Sequence, residues 1–295
     1  MNHLRFLKYI DEIAKTGSIR RAALKLHVAP SAVNRRLQDI EAELDTLIFE
    51  RLPKGMRLTA QGEIFIDYIR ARNADLEQVK SEIEDLKGLQ KGTIKLAVSQ
   101  ALAANFLPSK IQDFLKIYPS LHFEVFVGDH VQAIRRLRDF ESDVALSFNF
   151  EPSNDIEILS QVEQKLMAVM HRKHPLAKNK EGLKLKDVTP YPLALPNKDT
   201  GGRQMLERFM LKNSMVLNPQ IESNNFEFLR NCLFDEKTIT FQIAIGAASD
   251  HQHLVAKYIT DRGFSTGTLS VVKLAARKLP IGIGQFINHM KNDLV

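Results

Sequence analysis

The stretch that most restricts what this chain can fold into is Gly17–Arg51, GSIRRAALKLHVAPSAVNRRLQDIEAELDTLIFER. Two apolar stripes at helical spacing run through it, each too short to be stable as an isolated helix. Ile19, Ala22, Ala23 and Leu26 make the first stripe. Its two alanines let another helix approach closely. His27-Val28-Ala29 forms the turn, and Pro30 stands where a new helix tolerates proline, in its first turn. Val33, Leu37 and Ile40 then continue toward Leu44. Ser18 supplies a hydroxyl to cap the first of these helices. Upstream, Leu4, Leu7, Ile10 and Ile13, with Phe6 and Ala14, predict a helix over His3–Lys15 that Thr16-Gly17 ends.

Two short helices joined by a tight turn make a helix-turn-helix, whose second member enters the DNA major groove. Its outer face carries Ser31, Asn34, Arg35 and Gln38. Asn34 and Gln38 suit an adenine edge, and Arg35 and Arg36 suit guanine edges or phosphates. Ser18, Arg20, Pro30 and Ser31 are placed on the same surface. The charge distribution agrees. The chain carries a net +6, and the segment Arg5–Gln38 holds eight cations against two anions, which is the whole excess. The competing reading is a small helical core with a solvated basic face.

RLPKGMRLT at 51–59 reads as a two-stranded wing turning at Lys54-Gly55, with Lys54, Arg57 and Thr59 near the DNA backbone. Thr59 also caps a long helix. From Ala60 to Gly88 there is no proline, and a helix of that length extends about 42 Å. Ile69, Leu76 and Ile83 repeat at sevens, as do Val79 and Leu86 with an offset of three, and charged residues flank the stripe. That a/d pattern calls for a partner helix, most simply a second copy.

A new regime begins at Gly92. KGTIKLAVS turns wholly apolar, as a buried strand does. Helices over 106–117 and 130–139 and strands over 122–127 and 144–148 complete a βαβαβ unit with a parallel sheet. ILSQVEQKLMAVMH is a long extended run suited to crossing into a second sheet. PLALP at 192–196, a helix from Gly202, PQIES at 219–223, a helix over 225–234 and TITFQIAI at 238–245 make a second lobe. TLSVVKLA returns as a strand, and IGIGQFINHMK is a closing helix. Two such lobes form a hinged clamshell whose ligands bind at strand C-termini and helix N-termini. Ser99, Gln100, Ser147, Asn149 and Gly246 stand at such strand ends. Thr200, Gly201, Gly202 and Arg203 open a helix, where free N–H groups and a cation favour an anionic effector such as a carboxylate.

The segment SIRRAALKLHVAPSAVNRRLQDIEAELDTLIFERLPKGMRLTAQGE is similar to the N-terminal domain of LysR-type transcriptional regulators. The matching residues are Ala22, Ala23, Leu26, Pro30, Ser31, Val33, Arg35, Leu37, Ile40, Glu41, Leu44, Phe49–Arg51, Arg57–Thr59 and Gly62. The chain departs from the family's habit at Ala29, Asn34, Asp45 and Leu47. The resemblance extends more loosely over the rest of the chain. It implies an all-α winged helix-turn-helix domain over 1–58, a dimerising linker helix over 59–90, and a periplasmic-binding-protein-like α/β effector domain of two subdomains over 91–295. The implied partners are double-stranded promoter DNA, a small-molecule inducer or co-repressor, a second copy in a homodimer or homotetramer, and RNA polymerase.

Other function classes are less well served. Cys232 is the only cysteine, so no intrachain disulfide forms, consistent with a reducing compartment. No apolar run reaches membrane-spanning length, and the charged N-terminus is no signal peptide, so a cytoplasmic location is expected. His171 and His174, and His251 and His253, lack the further ligands a metal site needs and are expected at the surface. No cofactor and no nucleophile–base motif stands out. An enzyme on a two-lobed α/β body leaves the basic N-terminal motif and heptads without a role. A constitutive DNA-architectural protein has no use for a two-lobed effector domain.

Overall fold

Residues 2–86, 91–150, 152–198, 200–247, 253–264, 266–291 and 293–294 are described by the computed structural model. The chain divides into two compact units, Met1–Ile83 and Glu84–Val295.

The first unit holds α1 (Asn2–Thr16), α2 (Ile19–Lys25), α3 (Pro30–Glu43), β1 (Phe49–Leu52), β2 (Gly55–Leu58) and most of α4 (Ala60–Leu86). The apolar period dictates its core: Ile10, Ile13, Ala22, Ala23, Val33 and Leu37 are all at most 1% exposed. The alanine pair permits the close approach of α2 to its neighbours, and the Ser18 hydroxyl caps α2 by accepting from Arg21 N. The wing pairs antiparallel, Phe49 opposite Leu58 and Leu52 opposite Gly55. It is tied to the α1–α2 turn by Met56 N donating to Gly17 O at 2.9 Å.

The stripe on α4 starts elsewhere than expected. Ile69 is fully buried, with Ile66, in the core of its own unit. The helix is moored there by Arg70 Nε on Asp11 Oδ1 at 3.0 Å, and Lys15 Nζ reaches the same carboxylate at 2.7 Å. Ile69 is therefore not part of a free stripe. The exposed apolar residues of α4 are Ile64, Tyr68, Val79 and Ile83, with Leu76 half-buried. At about 100° per residue these lie within one side of the helix, and the buried Ile69 borders that side, about 20° from Leu76, one or more turns nearer the core of the unit. The side chain of Leu86 lies outside the described residues.

The second unit contains two lobes. The first is built from β3 (Gly92–Ser99), α5 (Gln100–Ala103), α6 (Phe106–Ile117), β4 (Leu121–Gly128), α7 (His130–Arg138), β5 (Val144–Phe148) and β6 (Ile156–Gln164). The second adds β7 (Leu166–His171), α8 (Leu185–Val188), β8 (Ala194–Pro196), α9 (Gly201–Lys212), β9 (Ile221–Ser223), α10 (Phe226–Asn231), β10 (Ile239–Ile243), α11 (Ala244–Ala247) and β11 (Leu254–Tyr258). β12 (Gly267–Leu274) and α12 (Ile281–Lys291) end the chain in the first lobe.

The first sheet runs β4-β3-β5-β12-β6. It is mixed and not purely parallel. β3 is parallel to β4 and β5, whereas β12 is antiparallel to β5 and β6, because it arrives from the other lobe. Only Lys165 separates β6 from β7, so the long extended run does change sheets. The second lobe pairs β10, β7 and β11 antiparallel, and β8 parallel to β9. TITFQIAI is strand only to Ile243; Ala244 and Ile245 are helical. β11 is an addition to the expected elements: its partly exposed residues carry no apolar alternation, as befits a sheet edge.

Candidate nucleic-acid interface and ligand cleft

Helix α3 presents Ser31, Arg35 and Gln38 outward, and Pro30 heads its exposed first turn. Asn34 is on the same side, but its Oδ1 accepts from Arg51 Nη2 at 2.9 Å, linking α3 to the wing. Arg20 on α2 and Lys54 at the wing turn are exposed. Neither these two nor Arg35 has an ion-pair partner among the described residues, so their charge is available to a polyanion.

Three expected contacts are otherwise engaged. Arg36 lies on the flank of α3, stacked 3.9 Å over the Phe6 ring and paired with Asp39 at 3.1 Å. It turns away because it sits about 100° from Arg35 on the helix, next to the buried stripe. The Thr59 hydroxyl donates to Leu47 O at 2.7 Å and accepts from Gly62 N at 2.9 Å, so it caps α4 and leaves nothing for a phosphate. Arg57 is exposed but paired with Glu50 across the wing at 3.0 Å.

In the second unit a cavity of about 180 Å³ lies between the lobes. Ser99, Gln100 and Ser147 line it from the first lobe, and Thr200, Gly201 and Gly202 from the second. Six of the nine cleft residues expected from the sequence thus come together. Ser147 is a buried residue on the cavity wall, and its hydroxyl makes no hydrogen bond among the described residues. Gly201 and Gly202 hold the first two positions of α9, whose N–H groups have no acceptor within the helix. The other polar groups are partly spent. Ser99 and Thr200 cap α5 and α9. Gln100 spans the cleft: Nε2 donates to Asn224 O at 2.5 Å, and Oε1 accepts from Phe226 N at 3.2 Å. It clasps the two lobes together.

Arg203 is corrected outright. Its guanidinium is 4% exposed and donates to Glu207 at 2.6 Å, Glu222 at 2.7 Å and Pro196 O at 3.1 Å. It points away from the cleft, and among the described lining residues no lysine or arginine replaces it. Gly246 does not line the cavity either. A Cβ there would lie 2.8 Å from Ala101 O, so glycine is needed for the lobes to meet. Its carbonyl accepts from Arg230 Nη2. Asn149 stands beside the cavity with Nδ2 3.5 Å from Gly201 O, a second tie between lobes.

Asp129, His130 and Gln132 after β4, and Asn224 and Phe226 after β9, also line the cavity and were not expected from the sequence. The strand-end rule that found Ser99 and Ser147 would have found them, because each also follows a strand. The histidines also differ. His174 is fully buried, with Nδ1 accepting from Leu176 N and Nε2 bonded to Lys237 O at 3.1 Å. Burial lowers its pKa below the ordinary histidine value. His171 is buried too, its ring 6.3 Å from that of exposed His253. His251 lies outside the described residues.

Known proteins match this chain in the same two parts. A model described as "Bacterial regulatory helix-turn-helix protein, lysR family" matches residues 4–63, and one described as "LysR substrate binding domain" matches residues 87–294. The HTH-type transcriptional activator CmpR of Synechocystis sp. is 27% identical over 223 residues, covering 75% of this chain and 72% of CmpR. The crystal structure of full-length CbnR complexed with its target DNA has the same fold, with a TM-score of 0.66 at 20% identity over 98% of this chain and 99% of CbnR. The effector-binding domain of QuiR in complex with shikimate is similar over 69% of this chain and 97% of its own length, with a TM-score of 0.57 at 19% identity. The chain therefore belongs to the LysR family of transcriptional regulators, with a DNA-binding helix-turn-helix unit and a two-lobed effector-binding unit.

Proposed function

We propose that this regulator binds an interrupted inverted repeat in promoter DNA as a dimer. In each copy α3 lies in the major groove, and a small polar effector between the lobes sets the state of the complex. The observation that carries the DNA half is the set of Arg20, Arg35 and Lys54 around the exposed face of α3, cations without an ion-pair partner among the described residues. The structure of the similar CbnR holds its target DNA, which supports the same use here. The exposed side of α4, with Val79 and Ile83 respectively 49% and 47% exposed, is the surface for the second copy. RNA polymerase is the further partner in this reading. Arg35→Ala is expected to cost about 1–3 kcal/mol of DNA affinity and to relax base preference at one position of each half-site. Footprinting over a randomised operator library reads this; an unchanged footprint would remove α3 from the groove.

For the cleft, the effector is a small molecule with a carboxylate or carbonyl oxygen facing the free N–H groups of Gly201 and Gly202 and hydrogen-bonded to Ser147. With Arg203 turned away, helix-terminal N–H groups supply the recognition without a cation. The shikimate-bound domain of QuiR is a similar fold holding a small hydroxylated carboxylate, which supports this class. Ser147→Ala should raise the effector concentration needed for half-maximal response about tenfold, the value of one hydrogen bond to a charged group. A thermal-shift panel of small hydroxy- and keto-acids on the full chain identifies the ligand and then compares the variant. If the variant responds as wild type does, the ligand sits elsewhere.

A further inference from the structure

We propose that a second cavity, on the second lobe beside the crossing strands and apart from the cleft, is a binding site for a small multiply charged anion. The cavity has a volume of about 510 Å³, within the usual range for small-ligand sites and larger than the cleft. Its wall carries Lys165, Lys180 and Lys257, with Glu181 the one carboxylate among the described lining residues. None of the three ammonium groups has a carboxylate partner among the described residues; Lys165 Nζ rests instead 5.5 Å from the Tyr258 ring. Like charges gathered in one concavity raise its potential and favour an anion that neutralises them. Elsewhere in this unit Lys110 pairs with Asp293, Lys116 with Asp113, Lys173 with Glu236 and Lys273 with Glu157.

The wall is constructed rather than accidental. The segment bearing Lys180 is stitched to the end of β11 by Leu183 N donating to Tyr258 O at 2.9 Å and Thr260 N donating to Leu183 O at 2.8 Å. Lys257 is half-buried within β11 itself. Lys165 is the single residue between β6 and β7, and its carbonyl accepts from Ala244 N at 2.8 Å. Thr266, immediately before β12, borders the same space. Both chain crossings between the lobes therefore touch the cavity, so an anion bound there that prefers one lobe arrangement would shift that equilibrium. The ligand class is a phosphorylated or polycarboxylate metabolite: compact, carrying two or more negative charges, with room for an organic part against Tyr258 and Phe264.

The test uses the full-length protein, titrated separately with inorganic pyrophosphate and with citrate by isothermal calorimetry, at an ionic strength held constant with sodium chloride. One-site binding to at least one probe is expected, pyrophosphate pointing to a phosphorylated ligand and citrate to a polycarboxylate. Lys165→Gln and Lys257→Gln should each weaken it about tenfold or more, because each removes a charged hydrogen-bond donor. Glu181→Gln should tighten it, because it removes the opposing charge. Ser147→Ala, a change within the cleft, should leave it as it is. No saturable binding of either probe would overturn the inference. So would binding that survives both lysine variants, or binding lost in Ser147→Ala, which would assign the anion to the cleft. Failure here leaves the proposed effector cleft untouched, since the two are separated by different variants.

Discussion

Gly62→Ala is expected to unfold the DNA-binding unit at temperatures where the wild type is stable, with a loss of about 3 kcal/mol or more. A Cβ at residue 62 would lie 2.0 Å from the Ile48 carbonyl oxygen and 2.9 Å from its carbon. That carbonyl has no freedom to retreat. Thr59 N donates to it at 3.0 Å, while the Thr59 hydroxyl donates to the neighbouring Leu47 carbonyl and accepts from Gly62 N. The junction of wing and α4 therefore fills all the space around one backbone oxygen, and a single methyl group must displace the helix. Ile48 and Phe49 are core residues of the unit, so the displacement is transmitted to the packing of α3. Differential scanning calorimetry of the full chain should show an early transition absent from wild type, with loss of operator binding across that transition. A variant that melts with wild type would mean the junction yields without cost.

Arg203→Ala is expected to destabilise the effector unit by about 2–4 kcal/mol, and not primarily to weaken effector binding. The guanidinium is nearly inaccessible and serves three acceptors from three places: Glu207 one turn along α9, Glu222 on β9 and the Pro196 carbonyl ending β8. Its removal strips the partner from two carboxylates and a buried carbonyl at once. The two carboxylates are 33% and 46% exposed, so water relieves part of the loss, which keeps the estimate below that for a fully buried pair. Arg203→Lys should recover little, because one ammonium cannot reproduce the planar fork. Urea denaturation read by circular dichroism measures the effect. If stability is unchanged while effector affinity falls, the arginine faces the cleft after all.

Neighbouring residues divide between these two kinds of outcome. Thr200, Gly201 and Gly202 remain at the cleft, while Arg203, the next residue, belongs to the fold's interior. One step along a helix rotates a side chain by about 100°, enough to move it from one face to the other. The same rotation separates Arg35, open to a partner, from Arg36, stacked on Phe6.

Some properties of this chain come from its residues in order. The apolar period places α1, α2 and α3; the alanine pair and Pro30 set their close packing and their break; the run from Ile158 to His171 carries the chain from one sheet to the next. These are local consequences of side-chain spacing, turn chemistry and backbone sterics. The tertiary structure alone decided which polar groups remain free. Gln100 is committed to Asn224 and Phe226, Arg203 to Glu207 and Glu222, and Thr59 to Leu47, leaving Ser147 and the N-terminus of α9 open. It also decided that Ile69 closes a core while Ile64 and Tyr68 stay exposed. A hydrogen bond or a packing contact is a relation between residues often a hundred positions apart. Periodicity records which side of its own helix or strand a residue occupies; what meets it there depends on how the elements assemble.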